Sequence, residues 1–280
     1  MLSSATRDWD TERWLHAKGN AGYNPTHCGA MARTPLRARA HGSPTLACPQ
    51  ARNVHIWRLD LRDMGAEAAS LLDRVENERA QRFVYAHDWR RYVAAHAWLR
   101  RILASYLGTP PQQLRFATGA HGKPLLMQTL PDEKQTPLCF NMSHSKDLAL
   151  IAVTSGIEVG VDIETIREDL PGPELAAGVL SAGELDELQQ CAAPDHASLF
   201  VACWTRKEAC LKALGVGLKR DPRALHVGLR SELQTLLIDG AEAPVAIAPL
   251  LVPSGYRAAL AVVGGFDRIE PQGAAHQPER

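Results

Sequence analysis

The chain has no uninterrupted apolar run approaching the roughly 18 residues of a membrane span, and its first residues lack the apolar core of a secretory signal. We therefore expect no membrane partner and place the protein in the cytoplasm. It has no excess charge of either sign, with 31 basic against 31 acidic residues, so composition does not point to nucleic acid and any charge effect must be local. Its six cysteines, at 28, 48, 139, 191, 203 and 210, form no C-x-x-C pair and no zinc-like spacing to histidine. They read as reduced thiols. A G-x-S-x-G elbow is also missing, which argues against a serine hydrolase triad.

What is present suits a soluble globular protein. At 280 residues, 45% of them apolar and 22% charged, the chain is long enough for one large domain or two smaller ones. Residues 1–52 include "MARTPLRARAHGSP", with no periodicity and no acid. We expect disorder there, or an over-extended start with Met31 as initiator. Order is expected from "VHIWRLDL", a strand, followed by helices over about 67–83 and over 88–108, from Asp88 to Gly108. Then come a turn-rich segment, "LRFATGAHGKPLL", and "CFNMSHSKDLALIAVTS", whose second half reads as a buried strand. The remainder repeats the order: a strand at "GIEVGVDIE", helices at "AGVLSAGELDELQQC" and "ASLFVACWTRKEACLKALG", strands at "ALHVGL", "LQTLLIDG" and "YRAALAVVGG". Two similar α+β halves, 53–157 and 158–268, with a flexible tail at 269–280, are the expected organisation.

In "EVGVDIE", period two sends Val159, Val161 and Ile163 to one face and Glu158, Gly160, Asp162 and Glu164 to the other. A solvated strand face would look the same, but paired acids also suit a hard cation such as Mg²⁺. Glu208 and Lys212, one helical turn apart, read alone as a surface pair. Together with Asp162 and Glu164 they offer a third carboxylate for a metal and an ammonium for a metal-bound phosphate. "NMSHS" places Ser143, His144 and Ser145 at the start of a strand, and "HGKPL" supplies Lys123 and Pro124 on a tight turn. The basic stretch around Arg79, Arg82, Arg90, Arg91, Arg100 and Arg101 suits a small phosphorylated ligand. Arg91 and Arg100 lie about 180° apart in helical phase, so one ligand cannot meet both.

In order, "RFVYAHDWRRYVAAHAWLR", "GKP", "FNMSHS", "GVDIE" and "WTRKEACLKALG" resemble the surfactin-synthetase type of 4′-phosphopantetheinyl transferase, over roughly residues 54–266. The specific part is G-[VI]-D-x-E followed by W-[ST]-x-K-E-[AS]-x-x-K, here with 46 residues from Asp162 to Glu208. The resemblance implies a monomer of two α+β halves related by a pseudo-twofold axis, with coenzyme A between them. Asp162, Glu164 and Glu208 then match Mg²⁺ ligands, with Mn²⁺ as a substitute. Lys212 matches the lysine beside the pyrophosphate, and Glu208, or a metal-bound water near it, the base. Ser143 and His144 match coenzyme A phosphate contacts, Lys123 with Pro124 the adenosine end, and Arg79 and Arg91 the 3′-phosphate and adenine region. The implied partner is an apo acyl or peptidyl carrier protein, whose serine receives the phosphopantetheine arm as 3′,5′-ADP leaves. Two other readings compete: a homologue that binds without turnover, and a generic Mg²⁺-dependent phosphohydrolase.

Overall fold

A computed structural model of the chain describes residues 46–128, 136–167, 172–230 and 232–272. The alternation in "VHIWRLDL" forms β1 (Asn53–Asp60), with Val54 and Ile56 in one apolar cluster and Trp57 and Leu59 in another. The single helix expected over 67–83 is broken. A 3₁₀ segment, Ala66–Leu71, ends in extended backbone at Leu72, and α1 (Arg74–Ala80) restarts on a capping box between Asp73 and Glu76. The long helix α2 (Ala86–Leu107) stops at Gly108, whose φ of 61° only glycine adopts readily. It begins earlier than expected, at Tyr85, so Asp88 lies in its first turn.

The turn-rich segment is a hairpin of β2 (Arg115–Thr118) and β3 (Pro124–Met127). Both halves of "CFNMSHSKDLALIAVTS" are strands, β4 (Leu138–Ser145) and β5 (Leu148–Ser155), joined at Lys146 and Asp147. Asn141, Ser143 and Ser145 occupy buried positions that usually carry apolar residues, which hides β4 from a hydrophobicity reading.

The second half contains β6 (Val159–Thr165), α3 (Pro173–Val179), α4 (Ala182–Gln190) and α5 (His196–Ala213). It continues with β7 (Gln234–Leu236), β8 (Val245–Pro249), β9 (Tyr256–Val263) and β10 (Arg268–Gln272). Helices α3 and α4 replace one expected helix because Ser181 and Glu184 form a second capping box. "ALHVGL" is not a strand. The N–H groups of Val227 and Gly228 donate to the Glu184 carboxylate at 2.8 and 3.0 Å, so they are spent on a side chain rather than on a ladder.

Strand order is β10-β1-β5-β4 in one sheet and β6-β9-β8-β7 in the other. Without β10 and β7, both read first, last, middle, each with its long helix between the first and middle strands. This is the repeated α+β plan expected from the sequence. Each sheet has its own core against its helix. Their other faces meet in a third core, where Val54, Ile56, Leu150 and Ala152 pack with Val159, Val161, Ile163 and Leu260. β10 returns to pair in parallel with β1, so residues 269–272, expected in the tail, complete the first sheet. Leu46 packs on the first core and Ser155 Oγ donates to Pro49 O at 2.9 Å, so residues 46–52 also belong to the fold. The rest of the expected disordered start, including Met31, and residues 273–280 lie outside the described residues.

Helix α5 rests directly on β6. A Cβ on Gly160 would stand 2.0 Å from Ala209 O and 2.4 Å from Ala213 N, so only glycine permits this approach. Cys48, Cys139, Cys191, Cys203 and Cys210 are free thiols, while Cys28 lies outside the described residues. Among the described residues no helix is long and apolar enough to cross a membrane.

Candidate functional site

Because α5 lies so close to β6, its Glu208 and Lys212 meet the acids of that strand. Asp162 is 0% exposed, Glu164 6%, Glu208 3% and Lys212 5%. The solvated strand face and the surface ion pair, both open from sequence alone, are thereby excluded.

Lys212 Nζ donates to Asp162 Oδ1 at 2.6 Å, to Ser143 Oγ at 3.2 Å and to Val161 O at 3.4 Å. Ser143 Oγ donates to the same Asp162 Oδ1 at 2.8 Å, and Ser145 Oγ to Glu164 Oε2 at 2.9 Å. Among the described residues, Asp162 Oδ2 and Glu208 Oε1 are buried with no hydrogen-bond partner. Three acids thus share one ammonium in a desolvated space. Burial, then the charge of Asp162, pushes Glu164 up to about 8. Burial also pushes Glu208 up to about 7, with Lys212 opposing and Asp162 reinforcing the shift. Burial alone would lower Lys212, but Asp162 and Glu208 outweigh it and hold the ammonium above its usual range.

Buried carboxyl groups that hold protons tightly, with orphaned oxygens beside them, suit a cation that would take the place of those protons. Among the described residues no group of three or more His, Cys, Asp and Glu is already arranged to hold a metal ion. Lys212 occupies that electrostatic role at Asp162. By donor chemistry and by the two orphaned oxygens, Asp162, Glu164 and Glu208 fit a hard divalent cation.

The other sequence candidates divide. Ser143 joins the cluster, whereas period two places His144, half-buried, on the opposite face of β4. Lys123 follows Gly122, whose φ is 92°, and is buried where β6 begins. Its Nζ donates to Glu158 Oε2 at 2.5 Å and to Val159 O at 3.1 Å, and its chain passes Gly215 at the end of α5. Pro124 is exposed at the start of β3 and outside the acid cluster. Arg91 Nε donates at 2.9 Å to Asp147, two residues beyond Ser145, and Arg79 lies over the ring of Tyr92 at 5.7 Å. Arg100 is a structural residue. Fully buried, it pairs at 2.6 Å with both Asp73 and Glu76 and donates to Pro111 O and Leu114 O.

Asn141 is not singled out by the sequence reading and Ser145 carries no role in it, although the polar period of two in "NMSHS" is a usable signal. The sequence reading also passes over Lys207, which pairs with Glu184 at 2.7 Å with both side chains fully buried and donates to Pro222 O at 2.8 Å. The available signal for Lys207 is its place in W-[ST]-x-K-E-[AS]-x-x-K, directly before Glu208.

Comparison with known proteins matches both halves. A family model described as the 4′-phosphopantetheinyl transferase superfamily covers residues 158–261, and one described as 4′-phosphopantetheinyl transferase, N-terminal, covers 57–156. The chain is 32% identical over 221 residues to the 4′-phosphopantetheinyl transferase HetI of Nostoc sp., across 76% of this chain and 88% of that protein. It is 31% identical over 183 residues to the 4′-phosphopantetheinyl transferase psf-1 of Bacillus pumilus, across 65% of this chain and 74% of that protein. Among solved structures it resembles the Thermotoga maritima holo-[acyl-carrier-protein] synthase with a TM-score of 0.27 and 17% identity, over 39% of this chain and 64% of that chain.

Proposed function

The chain belongs to the 4′-phosphopantetheinyl transferase superfamily, and from that premise we propose that it transfers the phosphopantetheine arm of coenzyme A to a serine of an apo acyl or peptidyl carrier protein. One observation carries the residue assignment: Lys212 and Asp162, 50 residues apart, are buried in contact with each other and with Ser143, and Glu164 and Glu208 are buried on the same two elements.

In this reaction the serine oxygen bonds to the β-phosphorus, the anhydride P–O bond breaks, and 3′,5′-ADP leaves with the electron pair. Asp162, Glu164 and Glu208 would hold Mg²⁺, or Mn²⁺ in its place, which when bound supplies positive charge to the phosphate oxygens. Ser143 orients Asp162 through its hydroxyl. Lys212 offers a preorganised ammonium to the charge that develops as the anhydride opens. Glu208, with one oxygen lacking a partner among the described residues, or a water near it, is the candidate acceptor of the serine proton. Lys123, Ser143, His144, Arg79 and Arg91 remain our candidates for coenzyme A contacts. We place the enzyme in the cytoplasm as a monomer; sedimentation as a dimer would refute the latter.

Intact-mass spectrometry of an apo carrier protein incubated with this protein, coenzyme A and Mg²⁺ tests the reaction. A gain of one phosphopantetheine, abolished by EDTA, is expected. No gain on acyl or peptidyl carriers, with coenzyme A binding retained, would replace transfer with binding alone. Release of free phosphopantetheine without a carrier would indicate hydrolysis.

A further inference from the structure

Every second side chain at the end of β4 is polar, and each reaches the backbone of β6 in the other sheet. Asn141 Oδ1 accepts from Val161 N at 2.8 Å, Ser143 Oγ from Ile163 N at 3.4 Å, and Ser145 Oγ from Thr165 N at 3.2 Å. The offset is 20 residues at each rung, so side chains take the place of a main-chain ladder where the two sheets meet.

The rungs differ in what they do besides joining the sheets. A hydroxyl can donate while it accepts. Ser143 gives its proton to Asp162 Oδ1 at 2.8 Å and Ser145 gives its proton to Glu164 Oε2 at 2.9 Å, each to the residue 19 positions further along. The residue 19 beyond Asn141 is Gly160, which has no carboxylate to hold. Ser145 is itself buried, at 7% exposure. Glu164 shares its strand face with Asp162, and the hydroxyl that meets Glu164 Oε2 is itself fixed by the Thr165 N–H it accepts from.

We infer that Ser145, pinned by the Thr165 N–H, is a positioning residue that keeps the Glu164 carboxylate turned toward Asp162 and Glu208. This rests on the reading that these three acids hold a divalent cation. Ligand-orienting partners of this kind characteristically alter metal affinity as well as turnover.

The test is a Mn²⁺ titration followed by electron paramagnetic resonance of the free ion, with coenzyme A present and no carrier protein, on folded variants verified by thermal melting. Ser145→Ala should raise the Mn²⁺ dissociation constant about 10- to 100-fold, while Asn141→Ala, which loses a rung but no acid contact, should stay within about twofold. Ser145→Thr keeps the hydroxyl and should restore affinity. Should Ser145→Ala fail to fold, Ser145→Cys, a weaker donor of similar size, replaces it with a smaller loss expected. Equal Mn²⁺ affinity in the Ser145 and Asn141 variants, with wild-type binding intact, would overturn the positioning role and leave the metal reading standing. No Mn²⁺ binding by the wild type would overturn the metal reading and this inference with it.

Discussion

Lys212 donates to Asp162 Oδ1 at 2.6 Å across 50 residues of sequence, and both side chains are buried. The pair joins the only two elements that carry the candidate acids, β6 and α5. It also gives Lys212 two partners in turn: a carboxylate in the free protein and, under the proposed function, a phosphate of coenzyme A.

Replacing Lys212 by Met removes that charge at similar length. Breaking one side of a buried pair costs roughly 3–5 kcal/mol. The melting temperature in EDTA should therefore fall sharply, with partial recovery in Mg²⁺, as the cation compensates the acids. Single-turnover transfer should drop on the order of 10²-fold, as for other lost transition-state donors. Equal melting losses in EDTA and Mg²⁺ would show that the lysine does more than balance these charges.

Glu208→Gln removes a carboxylate whose Oε1 has no hydrogen-bond partner among the described residues and whose ionised form burial disfavours. The metal-free variant should melt no lower than wild type, because it loses a buried charge at nearly constant volume. Carrier modification, read by intact mass, should be abolished. A folded variant with near-normal turnover would remove Glu208 from the site.

Gly160→Ala tests the contact that assembles the site. Its Cβ would meet Ala209 O at 2.0 Å and Ala213 N at 2.4 Å, both backbone atoms that cannot rotate away. A loss of about 3 kcal/mol or more in urea unfolding is expected, as α5 is pushed off β6. A loss below about 1 kcal/mol would mean that the helix shifts without cost.

The metal-free protein should also lose stability as pH rises. Glu164 is raised to about 8 and Glu208 to about 7 from an ordinary 4.5, in both cases chiefly by burial. The folded chain therefore holds these protons more tightly than the unfolded one. That contribution is complete below about pH 4.5 and is lost as pH climbs through about 7 to 8. In EDTA the melting temperature should fall from pH 6 to pH 9, and saturating Mg²⁺, which favours the ionised carboxylates, should flatten the decline. A rise over that range in EDTA would contradict the buried-acid geometry.

Much of this architecture was legible from pattern. The stripe of α2, its stop at Gly108 and the alternation of β6 follow from local periods of 3.6 and 2 and from glycine at a left-handed position. The breaks at Leu72 and Leu180 were not anticipated, although both lie beside capping boxes readable as D-x-x-E and S-x-x-E. The polar buried face of β4 hides it as a separate strand from hydrophobic periodicity, and "ALHVGL" forms no strand because Glu184, about 40 residues away, takes its N–H groups.

By itself, the sequence determined which residue types share a strand face or a helix turn, and its motif spacing placed it in a family. Asp162 with Glu164, and Glu208 with Lys212, are consequences of local periodicity. Only the tertiary structure decided that the two pairs are buried against each other, that Ser143 joins them while His144 turns away, that Arg100 is structural, and that Ser145 reaches Glu164. Periodicity specifies the face on which a side chain leaves its own backbone. Burial, shifted proton affinity and hydrogen-bond partner depend on what that face packs against, which here is set by the close approach of α5 at Gly160 and by the junction of β4 with β6.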